Sequence, residues 1–175
     1  MGMLCQLRQL SADYAQYLLQ NPDEVLQYVD KADEGRLPIE AQGEDICLDK
    51  AWHGLHYLLT GTDWECEEPY SYLLFGGEQV GDAEEHDVGY GTARILSPVQ
   101  VAAFSTAVSE LTPEEIHRRF NPAEMTALNI YPEVWDRGGQ DAQDSFEFLE
   151  ESATDVQAFL KRAVSNQMAV IVYLF

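Results

Sequence analysis

Positive charge is scarce in this chain. Ten lysines and arginines stand against 31 aspartates and glutamates over 175 residues, a formal net charge of −21. Polyanion binding draws its free energy from counterions released by clustered cations, so neither nucleic acid nor an anionic membrane surface is an expected partner. Cysteine is scarce too. Cys5, Cys47 and Cys66 make an odd count without CxxC spacing, which argues against a disulfide framework and a four-cysteine zinc centre; reduced thiols are expected. Long apolar runs are missing: the longest, AVIVYLF at 169–175, is far below the roughly 20 residues that span a bilayer. No basic segment followed by an apolar run opens the chain, and a cytoplasmic location with no membrane contact is the expectation. Nucleotide-binding loops are missing as well. There is no GxxxxGK[ST], and Gly89-Tyr90-Gly91 lacks the third glycine of a dinucleotide fingerprint and leads into a strand pattern rather than a helix.

What the chain does have is helix-start chemistry. Asn21, Ser97, Thr112 and Asn121 are each followed by proline and, three positions on, by Glu or Gln. In this arrangement the cap side chain accepts from an orphan N–H, proline sits where no donor is missed, and the third residue reaches back. A further helix is predicted over 142–166. Phe146, Leu149, Ala153, Val156, Leu160 and Ala163 recur at three- and four-residue spacing, with acids early and Lys161 and Arg162 late, as the helix dipole favours. Segments 11–20 and 48–60 complete the helical set. Strands are predicted at 3–10, 72–75, 92–96 and 168–174, the last apolar enough to be central and buried; acidic loops are expected at 30–35, 63–68 and 82–87. At this length and with 46% hydrophobic residues, the expected architecture is a single α/β domain over residues 1–175. It would be helix-rich, with helices packed on a small mixed β-sheet; α+β is the alternative.

Several phrases resemble the YfbM family, a bacterial group of unknown function. They are MGM at the start, LDKAWHGLHYLLTG, LLFGGEQVG, DVGYGTARIL with the Ser-Pro helix behind it, and IYPEVW, in the family's order over most of the chain. The resemblance implies a cytosolic single-domain α/β protein and carries over no activity, cofactor or catalytic residue.

Two segments carry the candidate chemistry. On a helix over 48–60, Leu48, Ala51, Trp52, Leu55, Leu58 and Leu59 make an apolar sector, while Asp49, His53, His56 and Thr60 make a strip on its flank, with Asp49–His53 and His56–Thr60 four apart. Asp49, His53 and His56 are therefore the catalytic candidates. The commoner role of such border histidines is to bond a carbonyl or carboxylate and fix packing. HxxH without the glutamate of HExxH makes a weak metal pair, so no metal and no cofactor is expected. Cys47 and His53 are poorly spaced for a nucleophile and base, and no GxSxG elbow is present. The second segment, LLFGGEQVGDAEEHDVGYGTARIL, holds five of the twelve glycines and carries Arg94 just after the last of them. That density means tight turns or a loop wrapped near a ligand. Arg94 reads first as an ion-pair partner of Asp87 or Asp49 and second as an anion clamp with Tyr90; Trp52, Asp87, Tyr90 and Arg94 are the ligand-binding candidates. The aromatics around Pro132 in IYPEVW suggest a loop pinned to the core.

Two function classes follow. The leading one is a non-enzymatic acidic binding protein engaging a basic protein or a small molecule, with an inhibitor or immunity-type protein as its specialised form, since a strong negative field speeds association with a cation-rich surface. The other is a small-molecule hydrolase or isomerase with a His/Asp/Arg site between the 48–60 helix and the 76–94 glycine-rich segment.

Overall fold

The computed structural model describes residues 2–33 and 35–175. Five strands, β1 (Cys5–Leu10), β2 (Asp45–Cys47), β3 (Glu78–Gln79), β4 (Arg94–Leu96) and β5 (Ala169–Leu174), form one sheet in the order β2-β1-β5-β4-β3. Every pairing is antiparallel, so the sheet is not mixed in strand direction; Leu7 lies opposite both Ile46 and Val172, and Ile95 opposite Ile171. The seven α-helices of the described residues are α1 (Ala12–Gln20), α2 (Glu24–Asp33), α3 (Ala51–Thr60), α4 (Pro98–Val108), α5 (Pro113–Arg119), α6 (Pro122–Ala127) and α7 (Gln140–Ser165). None of them is long and apolar enough to cross a membrane.

Helices cover both faces of the sheet, in keeping with the expected α/β class. Cys5, Leu7, Leu96, Val170 and Val172 join a core with residues of α3, α4 and α7, whereas Leu10, Ile95, Ala169, Ile171 and Tyr173 join a second core with Ala15, Leu18, Val25 and Tyr28 of α1 and α2. Strand side chains alternate between faces, so a strand covered on both sides has no solvent-facing set and reads as a continuous apolar run. That is why β5, at the centre, is AVIVYL and is buried from Ala169 to Tyr173. The larger core lies under α3 and α7 and contains Trp52, Trp135, Phe104 and Phe159, each worth on the order of 1.5–3 kcal/mol or more for its removal from water.

Three of the four proline caps form. Ser97 accepts from the Gln100 N–H in a full capping box, Thr112 from Glu115 and Asn121 from Glu124. Asn21 does otherwise: it caps the C-terminus of α1, its side chain donating to the Tyr17 carbonyl, and α2 begins only at Glu24. The 48–60 helix begins at Ala51, with Asp49 at a positive φ of 46° in the preceding turn. Segment 72–75 is a turn rather than a strand, and residues 30–33 of the expected acidic loop extend α2; Glu34 of that loop and Met1 of the MGM phrase lie outside the described residues.

Candidate functional site

Helix α3 is buried from Ala51 to Leu59, all but its last residue. A helix apolar all round belongs in the interior, and Gly54 lets it lie close to its neighbours: a Cβ there would stand 2.7 Å from Leu149 Cδ2 and 2.9 Å from Trp135 Cη2. The histidine strip therefore faces packed protein. His53 Nε2 lies 2.7 Å from the Asp63 carbonyl and Nδ1 accepts the Tyr131 N–H at 2.9 Å, so the imidazole is the neutral Nε2–H tautomer with both nitrogens committed to backbone. Burial holds its pKa below the ordinary value. His56 is fully buried, neither ring nitrogen has a hydrogen-bond partner among the described residues, and burial followed by the neighbouring His53 takes its pKa down to about 4. Asp49, exposed and off the helix, does not orient His53, and Thr60 donates to the His56 carbonyl rather than its ring. Trp52 is sealed in the core, with its indole N–H on the Met3 carbonyl.

The rings here form a row. Tyr131 stacks on Trp52 at 5.6 Å, Trp52 on His53 at 5.0 Å, His53 meets Trp64 at 4.8 Å, and Trp64 meets Phe75 edge-on at 6.1 Å. The IYPEVW loop is pinned at the Tyr131 end: Tyr131 Oη accepts the Met3 N–H, and the buried Trp135 donates to Ile130 O. At the other end, Phe75 belongs to the glycine-rich segment, so the row connects α3 to that region through side chains.

In the glycine-rich segment Asp87 organises the loop, its Oδ1 accepting from the Gly89 and Gly91 N–H groups at 2.7 and 3.1 Å. It is not the partner of Arg94, and neither is Asp49: among the described residues Arg94 forms no ion pair. Its guanidinium donates to the carbonyls of Tyr72, Leu73 and Gly76 at 2.9 to 3.2 Å, and desolvation lowers its pKa to about 10. Two of these bonds go to carbonyls within 72–75, which converge on one side chain instead of pairing with a neighbouring strand. Arg94 and Tyr90 both line a cavity of about 410 Å³, with Phe75, Gln79 and Thr92 in the same wall. Of the seven nominated residues, this cavity brings together Tyr90 and Arg94; Asp49, Trp52, His53, His56 and Asp87 are not in its wall.

A larger cavity, about 550 Å³, opens at the C-terminal end of α3. Tyr57 donates to Glu124 at 2.7 Å and Tyr70 to Glu110 at 2.6 Å across it, and Cys66 and Arg119 complete this part of the wall. Burial first and then the bond to Glu124 push the Tyr57 phenol up, while the bond to Glu110 does the same for Tyr70. These groups come from separate elements, and no spacing in the sequence announces them. A third, shallower hollow of about 360 Å³ runs between the start of α5 and α7, walled by Pro113, Glu150, Glu151, Thr154 and Asp155; none of its three carboxylates is in an ion pair among the described residues. Asp82, Glu85 and His86 come close enough to share a cation, but His86 already accepts the Asp82 N–H on Nδ1 and bonds Asp23 through Nε2, so the imidazole is committed as the loop stands.

Comparisons with known proteins agree on a family and are silent on activity. The family model described as Domain of unknown function (DUF1877) matches residues 1–173. The crystal structure of a protein of unknown function, YfbM from Escherichia coli, superposes with a TM-score of 0.71 at 16% sequence identity, covering 98% of this chain and 99% of that one, and at that identity the likeness establishes the fold. No curated protein matches.

Proposed function

The chain belongs to the DUF1877 family of domains of unknown function, and from that premise we propose that it is a non-enzymatic binding protein that engages a basic protein partner, as an inhibitor or immunity-type protein does. The observation that carries the reading is the commitment of the groups best suited to acid–base chemistry. His53 holds two backbone groups, His56 is sealed and neutral, and Arg94 gathers three carbonyls. The carboxylates, by contrast, stay at the surface. Glu150, Glu151 and Asp155 line one hollow without a balancing cation, within a chain of net charge −21. Such a surface attracts a cation-rich partner over distance and orients it on approach. On this reading the chain is cytoplasmic, a compartment in which an odd count of three cysteines without CxxC spacing stays reduced.

The test is capture of partners from a cytosolic extract with the wild-type chain and with the Glu150→Lys/Glu151→Lys variant, each at low and high salt. A basic protein retained by the wild type, released as ionic strength screens the contact and lost on charge reversal is the expected result. Retention indifferent to both would overturn the electrostatic reading. A second reading, a small-molecule hydrolase or isomerase, draws on the ring row that joins His53 to Phe75 in the cavity wall. It requires His53 to give up a backbone bond before it could move a proton.

A further inference from the structure

Arg94 occupies an unusual position for this chain. Carboxylates outnumber cations 31 to 10, yet this partly buried guanidinium meets only neutral carbonyl dipoles. Among the described residues it is the one charged side chain in the wall of the 410 Å³ cavity; the nearby carboxylate of Glu68 is engaged by the Gly77 N–H, so the wall itself offers a cation and no anion. A buried or half-buried charge without a counter-ion favours an anion that can reach it, because the attraction is poorly screened there. The same wall carries Phe75 and Tyr90, 44% and 51% exposed, two aromatic rings left half in water beside a concave surface. Exposed aromatics at a cavity mouth offer flat apolar faces for stacking, and the volume falls in the range of small-molecule sites. Gln79 and Thr92, bonded to each other at 2.9 Å, add polar groups to the wall.

We propose that the cavity between residues 74–77, Tyr90, the start of β4 and the end of β5 binds a small aromatic carboxylate, its ring against Phe75 and Tyr90 and its negative end drawn to Arg94. The flat body answers the two rings and the single charge answers the single arginine. Binding here involves no covalent step and does not depend on the basic-partner reading, since ligand and partner carry opposite charge.

Sodium benzoate serves as the probe, followed by calorimetry and by the fluorescence of Trp64, which is 47% exposed and touches Phe75. Saturable binding with a Kd of about 1 mM or tighter is expected for a ligand of this size. Benzamide, alike in shape but uncharged, should bind about tenfold more weakly, the worth of one charge-assisted contact. Tyr90→Ala and Phe75→Ala, both at exposed positions, should each weaken benzoate several-fold with Tm little changed, and Arg94→Gln should weaken it by about tenfold or more. Should Arg94→Gln fail to fold, the benzamide comparison and Tyr90→Ala still decide. Inorganic phosphate should compete poorly, having no ring. Benzamide binding as well as benzoate, Tyr90→Ala binding like the wild type, phosphate competing as an equal, or no saturation at all would each overturn the proposal. Salt separates this site from the partner surface: benzoate affinity should hold or rise with ionic strength as the repulsive net field is screened, whereas capture of a basic partner should fall.

Discussion

The histidines of α3 and the arginine after the glycine loop are both titratable groups set in apolar surroundings, and both were nominated from sequence for the same composite site. They differ in what surrounds them. At His53 and His56 the space is filled: one ring is held at both nitrogens by backbone, and the other is fully enclosed. At Arg94 three carbonyls hold the side chain, but a 410 Å³ hollow remains beside it, with two half-exposed rings on its wall. What separates the two surroundings is the room left next to the side chain, not its chemistry, and only at Arg94 is there room for a ligand.

Substitutions can break or sharpen that contrast. The largest effect is expected on the filled side, where Trp135→Ala empties the volume against Gly54 and Leu149 and should cost about 3–5 kcal/mol in denaturant unfolding. Acid should come next. The folded-state pKa of His56 is depressed from 6.5 to about 4, so below 6.5 the unfolded chain takes up a proton that the folded one refuses. Its contribution is complete above pH 6.5, is lost as pH falls toward 4 and then levels off, a fall of roughly 3 kcal/mol by linkage. His56→Leu, which removes two unpartnered nitrogens, should flatten that window and leave stability at neutral pH equal or higher. Glu115, held at about 2 by its bonds to Arg118 and then Arg119, acts in the same direction but lower, as pH falls below its ordinary 4.5. His53→Ala strands the Asp63 carbonyl and the Tyr131 N–H and should cost about 2–3 kcal/mol. The smallest effect belongs to the open side: Tyr90→Ala, at a half-exposed ring, should change stability by less than about 0.5 kcal/mol. A large loss there would show that the cavity wall is packed after all.

Local signals with a mechanism were legible in the sequence. Ser97, Thr112 and Asn121 cap as their spacing indicates, the stripe from Phe146 to Ala163 lies on α7, and the apolar run at the C-terminus is the central strand. Asn21 misled because the cap signature reads the same whether the residue opens one helix or closes another. The 72–75 turn misled because apolar residues there pack without pairing, their carbonyls satisfied by an arginine about 20 positions away along the chain. Strands β2 and β3 are too short for alternation to show. For the site, Arg94 and Tyr90 stood out through the glycines around them. The pairs Tyr57–Glu124 and Tyr70–Glu110 did not, because partners 67 and 40 positions apart are joined only by the tertiary fold.

The most direct measurement is the pH dependence of the imidazole nitrogen shifts in a ¹⁵N-labelled chain. His53 should show a neutral Nε2–H ring that takes up its proton below the ordinary 6.5, and His56 should pass through that range without titrating. Either ring taking up its proton near 6.5, as a water-accessible imidazole does, would contradict the structural role assigned to the pair.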